Sequence, residues 1–231
     1  MPRWGLTEKQ IQTAPWSLTE EELSPRRGKV ITDPVHGDVY LTPLELRIVD
    51  TPAFQRLRRV RQLGTTHLVY PGATHTRFSH SLGALRVVQD LLSAALLQRQ
   101  GRHGVPDLFE QWLAKGENTY NEHVARATVL ARLGALLHDL CHVPFGHSIE
   151  DDLQILEPHD ENRDRLARLW AQFGPDLIEV LDRGKLREAL EPLILSKGDD
   201  YDRKPWERVE YPFVADLVGD TICADLLDYL N

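Results

Sequence analysis

Between Asn121 and Pro144 leucines and small apolar residues recur at helical spacing, with Val124, Leu130, Leu133, Leu136, Leu137 and Leu140 as the apolar positions. Asn121 or Glu122 is the expected start of this helix. Pro144 is its expected stop, because proline lacks the amide proton that a continuing turn needs. A segment this apolar must bury against other elements, so the rest of the chain has to supply partners for it.

The partners read as helical. Thr42-Pro43 places a capping hydroxyl before a proline at the first helical position, followed by Leu44, Ile48 and Val49. Thr51-Pro52 opens a second helix with Phe54, Leu57, Val60 and Leu63 three residues apart, and Gly64 ends it. Residues 65–77 read as a loop. Ser79 or Ser81 caps the next helix, whose stripe runs through Leu82, Leu85, Val88, Leu92 and Leu96. Residues 160–172 and 176–196 carry two further helical patterns, and Asp220 caps a last helix with Ile222, Leu226, Leu227 and Leu230. Lys29–Thr32 and Asp38–Leu41 are β-prone and flank Pro34 and Gly37, which predicts a small hairpin. Residues 1–27 read as an irregular leader, 101–119 as a mixed connection and 197–210 as a loop. The expected fold is mainly α: one domain over residues 28–231 with a small N-terminal β-hairpin.

Composition narrows the function class. The 231 residues are 42% hydrophobic, enough for a core, and no apolar stretch reaches bilayer length. The first residues lack the continuous apolar run of a secretory signal, and the only two cysteines, Cys141 and Cys223, are far apart. The expectation is a cytoplasmic protein without a disulfide framework. A formal net charge of −8 does not favour a general nucleic-acid surface. Arg56, Arg58, Arg59 and Arg61 nevertheless crowd together. They read either as a solvated helix face carrying ion pairs or as a local anion site.

The chemistry lies in RFSHSLG (77–83), LLHDLCHVPFGH (136–147) and DLLDY (225–229). His138 and Asp139 end an apolar helix, where burying either alone is costly and a divalent cation removes that cost. His80 and Asp225 complete a set of two histidines and two aspartates from three helices, which leaves coordination positions for water and substrate. Singly, each has an ordinary explanation as a hydrogen-bonded core histidine, a helix cap or a solvated carboxylate. Together, His138, Asp139, His142 and His147 within ten residues exceed what a structural role calls for.

The ordered motifs DPVHG, TPxFQRLRxxxQLG, PGAxHxRFxHSLG and HDLxHxPFxH resemble the HD-domain dNTP triphosphohydrolases over residues 29–160 and again over 219–230. The resemblance implies the HD-domain helical fold and one divalent ion (Mn, Fe, Mg, Zn, Co or Ni) on His80, His138, Asp139 and Asp225. It implies phosphate contact by Arg77, His142, His147 and His159, with Asp160 orienting and charging His159 as the acid for the leaving oxygen. It places Gln62 and Leu63 near the sugar and Tyr229 at the substrate. Asp50, Gln55 and Arg58 match an activating-nucleotide site, in which Thr32 replaces an asparagine.

Two further departures are legible. Leu226 stands where the family has a basic residue, and the family continues beyond the tyrosine with an Arg-Asp pair, which implies a C-terminal portion past Asn231. The implied reaction is hydrolysis of a deoxynucleoside triphosphate to deoxynucleoside and triphosphate, in a homo-oligomer. The competing readings are a nucleotide phosphatase or metal-dependent nuclease on the same centre, and a non-catalytic nucleotide-binding or oligomerisation module. Nucleic acid is not the favoured partner, and no membrane is expected.

Overall fold

The computed structural model describes residues 18–98, 115–195, 209–219 and 223–229, and for Pro25, Leu97, Gln98 and Tyr229 the backbone only. The fold is mainly helical with one antiparallel hairpin, as the sequence predicts. In chain order the helices are α1 (Glu20–Leu23), α2 (Pro43–Val49), α3 (Pro52–Gln55), α4 (Arg77–Gln98) and α5 (Glu117–Leu137). They continue with α6 (Arg163–Trp170), α7 (Pro175–Arg183), α8 (Leu186–Ile194), α9 (Pro212–Gly219) and α10 (Ala224–Tyr229). Strands β1 (Lys29–Asp33) and β2 (Gly37–Leu41) lie between α1 and α2 and pair from Lys29–Leu41 to Asp33–Gly37. Asp33 Oδ1 accepts from the amides of Val35 (2.8 Å) and His36 (2.9 Å), and Gly37 takes φ +68° to close the turn.

Helix α5 is the axis of the core. Every residue from Val124 to Leu137 is buried, and α4, α8 and α9 pack against it. Gly134 allows the closest approach: a β-carbon there would lie 3.0 Å from Leu193 Cδ1 and 3.2 Å from Val218 Cγ2. A helix wrapped on all sides must satisfy its own polar groups. Arg132 does so by spanning Glu45 Oε1 (2.7 Å), Gln89 Oε1 (2.7 Å) and the carbonyl of Tyr40 (2.8 Å). Glu45 also receives the Thr42 amide in a capping box (2.8 Å), so the buried Glu45–Arg132 pair ties the hairpin, α2 and α5 together.

Several boundaries differ from the sequence reading for local reasons. Helix α5 begins at Glu117 rather than Asn121 or Glu122, and ends at Leu137, six residues before Val143 and well short of Pro144. Helix α4 is capped by Thr76, whose hydroxyl and that of Ser79 exchange bonds with each other's amides (3.3 and 3.1 Å), rather than by Ser79 or Ser81 alone. The second helix breaks after Gln55 into a 3₁₀ turn, Arg56–Arg59. The spacing of three through Phe54, Leu57 and Val60 is the repeat of a 3₁₀ helix, not of an α-helix. Asn162 caps α6, and Lys185 at φ +50° divides the 176–196 pattern into α7 and α8.

The leader is structured where it is described. Thr19 caps α1 with a capping box, Leu18 and Leu23 are buried, and Arg183 donates to Glu22 Oε1 at 2.6 Å. Residues 1–17, most of the 101–119 connection, most of the 197–210 loop, and Asp220, Ile222 and Leu230 lie outside the described residues.

Candidate metal centre

Three helices bring the four predicted ligands to one point. His80 lies in the first turn of α4, His138 and Asp139 follow the last turn of α5, and Asp225 stands at the start of α10. His80 Nε2 is 2.9 Å from Asp225 Oδ1, 3.2 Å from His138 Nε2 and 3.7 Å from Asp139 Oδ2. His138 Nε2 is 3.6 Å from both Asp139 Oδ1 and Asp225 Oδ1. Ligands on bonds of about 2.0–2.2 Å around one cation lie about 3.0–3.6 Å apart. His80, His138 and Asp225 offer ligand atoms within 4.8 Å of one another and suit one ion, with Asp139 against the two imidazoles at the edge of that trio.

The tautomers fit as well. His138 Nδ1 faces the carbonyl of Ala135 at 2.8 Å, and His80 Nδ1 faces Asp228 Oδ2 at 2.6 Å. A carbonyl or carboxylate on Nδ1 holds the proton there and leaves Nε2 as the electron-pair donor. Both Nε2 atoms point into the cluster. Asp228, on the same face of α10 one turn after Asp225, was missed in the sequence reading, as was His36, whose Nε2 lies 2.5 Å from Asp228 Oδ1. The i, i+3 pair of aspartates in DLLDY and the histidine of DPVHG were the available signals.

The electrostatics call for a cation. With neutral imidazoles, Asp139, Asp225 and Asp228 against Arg77 leave −2 (three carboxylates, one guanidinium), which a divalent ion neutralises. In the metal-free cluster protons take that role. Burial pushes the His80 pKa down, but the hydrogen bonds that its ring donates to Asp225 and Asp228 outweigh it and raise it to about 10. His138 is raised likewise against its burial by Asp139 and Asp225. Burial pushes Asp139 and Asp225 up, yet the neighbouring imidazoles, and Arg77 at Asp139, hold both well below the usual carboxylate range.

Behind this cluster stands a group of histidines. Arg77 Nη1 donates to Asp139 Oδ2 at 2.7 Å, and His142 Nε2 lies 3.2 Å from Asp139 Oδ1. Burial lowers the His142 pKa to about 4, so the ring is neutral near pH 7 and donates from Nε2. His142 stacks on His159 with centroids 3.4 Å apart and planes at 26°, and His147 meets both rings edge-on. The turn between them holds Phe145 at φ +64°. A β-carbon on Gly146 would come within 2.8 Å of His142 Nδ1.

His159 has a second acidic neighbour besides the adjacent Asp160. Glu150 Oε2 takes the Nδ1 contact at 2.9 Å, while Arg165 Nη1 holds Glu150 Oε1 at 2.6 Å. Asp160, buried nearby, contributes its charge to His159. Glu150 arrives through the π-helical turn Ser148–Asp152, a bulge that no periodicity in the sequence announces. His142, Glu150 and His159 offer ligand atoms within 4.8 Å. Nearly parallel rings aim their lone pairs side by side rather than at one point, so the trio suits proton transfer and anion contact better than a second metal.

The remaining predicted residues are placed as follows. Gln62 and Leu63 are half-buried in the segment that bridges Arg61 to Thr76, one residue before Arg77. Tyr229 ends α10, and its side chain lies outside the described residues. Leu226 is exposed. Arg58 donates to Gln55 Oε1 at 2.8 Å and covers the Phe78 ring at 3.5 Å, while Thr32 bonds Asp38 across the hairpin at 3.2 Å. Asp50 lines a concavity of about 410 Å³ whose lining does not include Gln55 or Arg58.

Two arginines of the 56–61 stretch face backbone carbonyls rather than carboxylates. Arg56 donates to the backbone carbonyls of Leu140 and His142 (2.6 Å to the latter), and Arg61 to that of Thr74 (3.1 Å). Those two guanidiniums are spent on holding loops.

The chain as a whole is similar to known proteins. The HD-domain family profile matches residues 110–230. The chain is 39% identical over 179 residues to the deoxynucleoside triphosphate triphosphohydrolase SAMHD1 of Danio rerio, covering 77% of this chain and 24% of that protein. It is 38% identical over 175 residues to the uncharacterized protein MJ1154 of Methanocaldococcus jannaschii (76% and 32%). Against the uncharacterized protein YwfO of Bacillus subtilis it is 41% identical over 181 residues (74% and 37%). The chain thus spans about a quarter to a third of the length of these relatives. A crystal structure of a hypothetical protein from Aquifex aeolicus matches with a TM-score of 0.56 and 29% identity, over 88% of this chain and 45% of that one. Among the described residues no helix is long and apolar enough to cross a membrane.

Proposed function

Because the chain belongs to the HD-domain family, we propose that it is a metal-dependent phosphohydrolase whose substrate is a deoxynucleoside triphosphate, cleaved to deoxynucleoside and triphosphate. The observation that carries this reading is the convergence of His80, His138, Asp139 and Asp225, with Arg77 on Asp139 and three histidines beside it. The SAMHD1 relatives supply the substrate class.

When bound, a divalent cation acidifies water and polarises a phosphoryl oxygen. The protein groups do the rest. Arg77 is buried and fixes Asp139, and its guanidinium stabilises charge on the phosphate oxygens. His142, neutral and donating from Nε2 to Asp139, keeps that carboxylate ionised. Glu150 receives the Nδ1 proton of His159, so Nε2 is the atom that gives a proton to the leaving oxygen. The negative charge of a bound polyphosphate beside the ring favours the imidazolium against the lowering that burial imposes. Exposed His147, paired with Asp151 at 2.7 Å, contacts the distal phosphates. Gln62, Leu63 and Tyr229 surround the sugar. Asp50, Gln55 and Arg58 bind an activating nucleotide, and the enzyme works as a homo-oligomer in the cytoplasm.

A second reading, a nucleotide phosphatase or nuclease on the same centre, is favoured by exposed Leu226, which offers no charge to a triphosphate. Product analysis separates the two. Incubation with Mn²⁺ and each dNTP, dNMP and single-stranded DNA yields inorganic triphosphate on the favoured reading. Orthophosphate or shortened DNA as the sole product sinks it.

A further inference from the structure

Behind the His80 ring, on the side away from the cluster, stand Asp228 and His36. Asp228 uses one oxygen for each of two imidazoles, Oδ2 for His80 Nδ1 at 2.6 Å and Oδ1 for His36 Nε2 at 2.5 Å. Both side chains are nearly out of solvent, at 11% for Asp228 and 13% for His36. An ionised carboxylate so placed needs compensation, and two ring N–H groups provide it. The contact also needs space. A β-carbon at Gly83, one turn along α4 from His80, would sit 1.7 Å from Asp228 Oδ1. The carboxylate therefore reaches His80 only because residue 83 has no side chain. His36, in turn, is delivered by the turn that Asp33 caps.

We propose that Asp228 and His36 are positioning residues for the metal. Asp228 anchors the Nδ1 proton of His80 so that Nε2 is the donor atom, His36 holds Asp228 from the hairpin, and Gly83 provides the room. The inference rests on the metal reading of the cluster. Its consequence is that metal affinity depends on a hairpin that contributes no ligand. A purely structural role for Asp228 affects stability but leaves the tautomer and the ligand field of the bound metal unchanged.

The test uses the full chain, stripped with a chelator, as wild type and as Asp228→Asn, Gly83→Ala and His36→Gln. Mn²⁺ affinity is measured by calorimetry and the Co²⁺ form by visible absorption, with metal-free thermal melts to compare folding. In the Zn²⁺ form, ¹H–¹⁵N correlation locates the His80 ring proton. Asp228→Asn and Gly83→Ala are expected to weaken Mn²⁺ binding by about 10- to 100-fold, shift the Co²⁺ band and disturb the Nδ1 proton. His36→Gln keeps an N–H donor, acts from the far side of Asp228, and is expected to give a smaller loss in the same direction. If a variant at 228 or 83 unfolds without metal, the His36→Gln result decides. Wild-type affinity and an unchanged Co²⁺ band in the folded variants overturn this inference and leave the metal reading standing. A wild-type protein that takes up no metal overturns both.

Discussion

Arg77 and Asp139, 62 residues apart in the chain, form an ion pair of 2.7 Å with side chains only 3% and 6% exposed. Removing one partner of such a pair strands the other charge, at a cost of about 3–5 kcal/mol. Arg77→Ala is expected to lose about that much in metal-free urea unfolding. Saturating Mn²⁺ restores part of the loss, because the cation replaces the missing charge at Asp139. No recovery with Mn²⁺ would place Asp139 away from the metal.

Glu150 is fully buried between His159 and Arg165. Glu150→Gln keeps a hydrogen-bond acceptor for His159 Nδ1 but removes the charge that favours its protonated form. Turnover is expected to fall by about 100-fold or more, with KM and metal content near wild type. Steady-state kinetics beside metal analysis of the same preparation checks this, and unaltered kcat rules out His159 as the acid.

Arg56 clamps the carbonyls of Leu140 and His142 and touches none of the four predicted ligands. Arg56→Ala therefore frees the turn that carries His142 while leaving His80, His138 and Asp225 in place. A displacement of about 1 Å at a reacting group costs on the order of 100-fold. Turnover should drop by about 10- to 100-fold, with Mn²⁺ affinity within about threefold of wild type. Equal loss of both would show that the clamp holds the metal centre itself.

Gly134 faces Leu193 and Val218 with no space for a larger side chain. Gly134→Val is expected to destabilise the fold by about 1–3 kcal/mol through overpacking, read as a lowered midpoint in urea with an unchanged slope. An unchanged midpoint would mean that α8 and α9 shift freely against α5.

The elements were legible in the chain because their signals are local. Thr42-Pro43 and the leucine spacing before His138 declare helices wherever they are put, and Pro34 with Gly37 declares the turn of a hairpin. His138 and Asp139 were legible as residue types that lack a reason to be buried unless something charged joins them, and His80 and Asp225 through the short motifs that carry them. What the sequence left open depends on which helix lies against which. Asp228 is an unremarked aspartate until α10 packs on α4 at Gly83, and His36 is a turn residue until the hairpin folds over that contact. Glu150 joins Asp160 beside His159 because a π-helical turn, a backbone irregularity without a periodic signature, aims it inward. Arg56 looks like surface charge in the sequence and becomes a backbone clamp only when the turn after α5 passes beneath it. Candidate ligands are recognisable where such residue types occur together in short motifs, whereas orientation, tautomer and supporting contacts follow from distances between segments remote in sequence, and those only the packed structure decides.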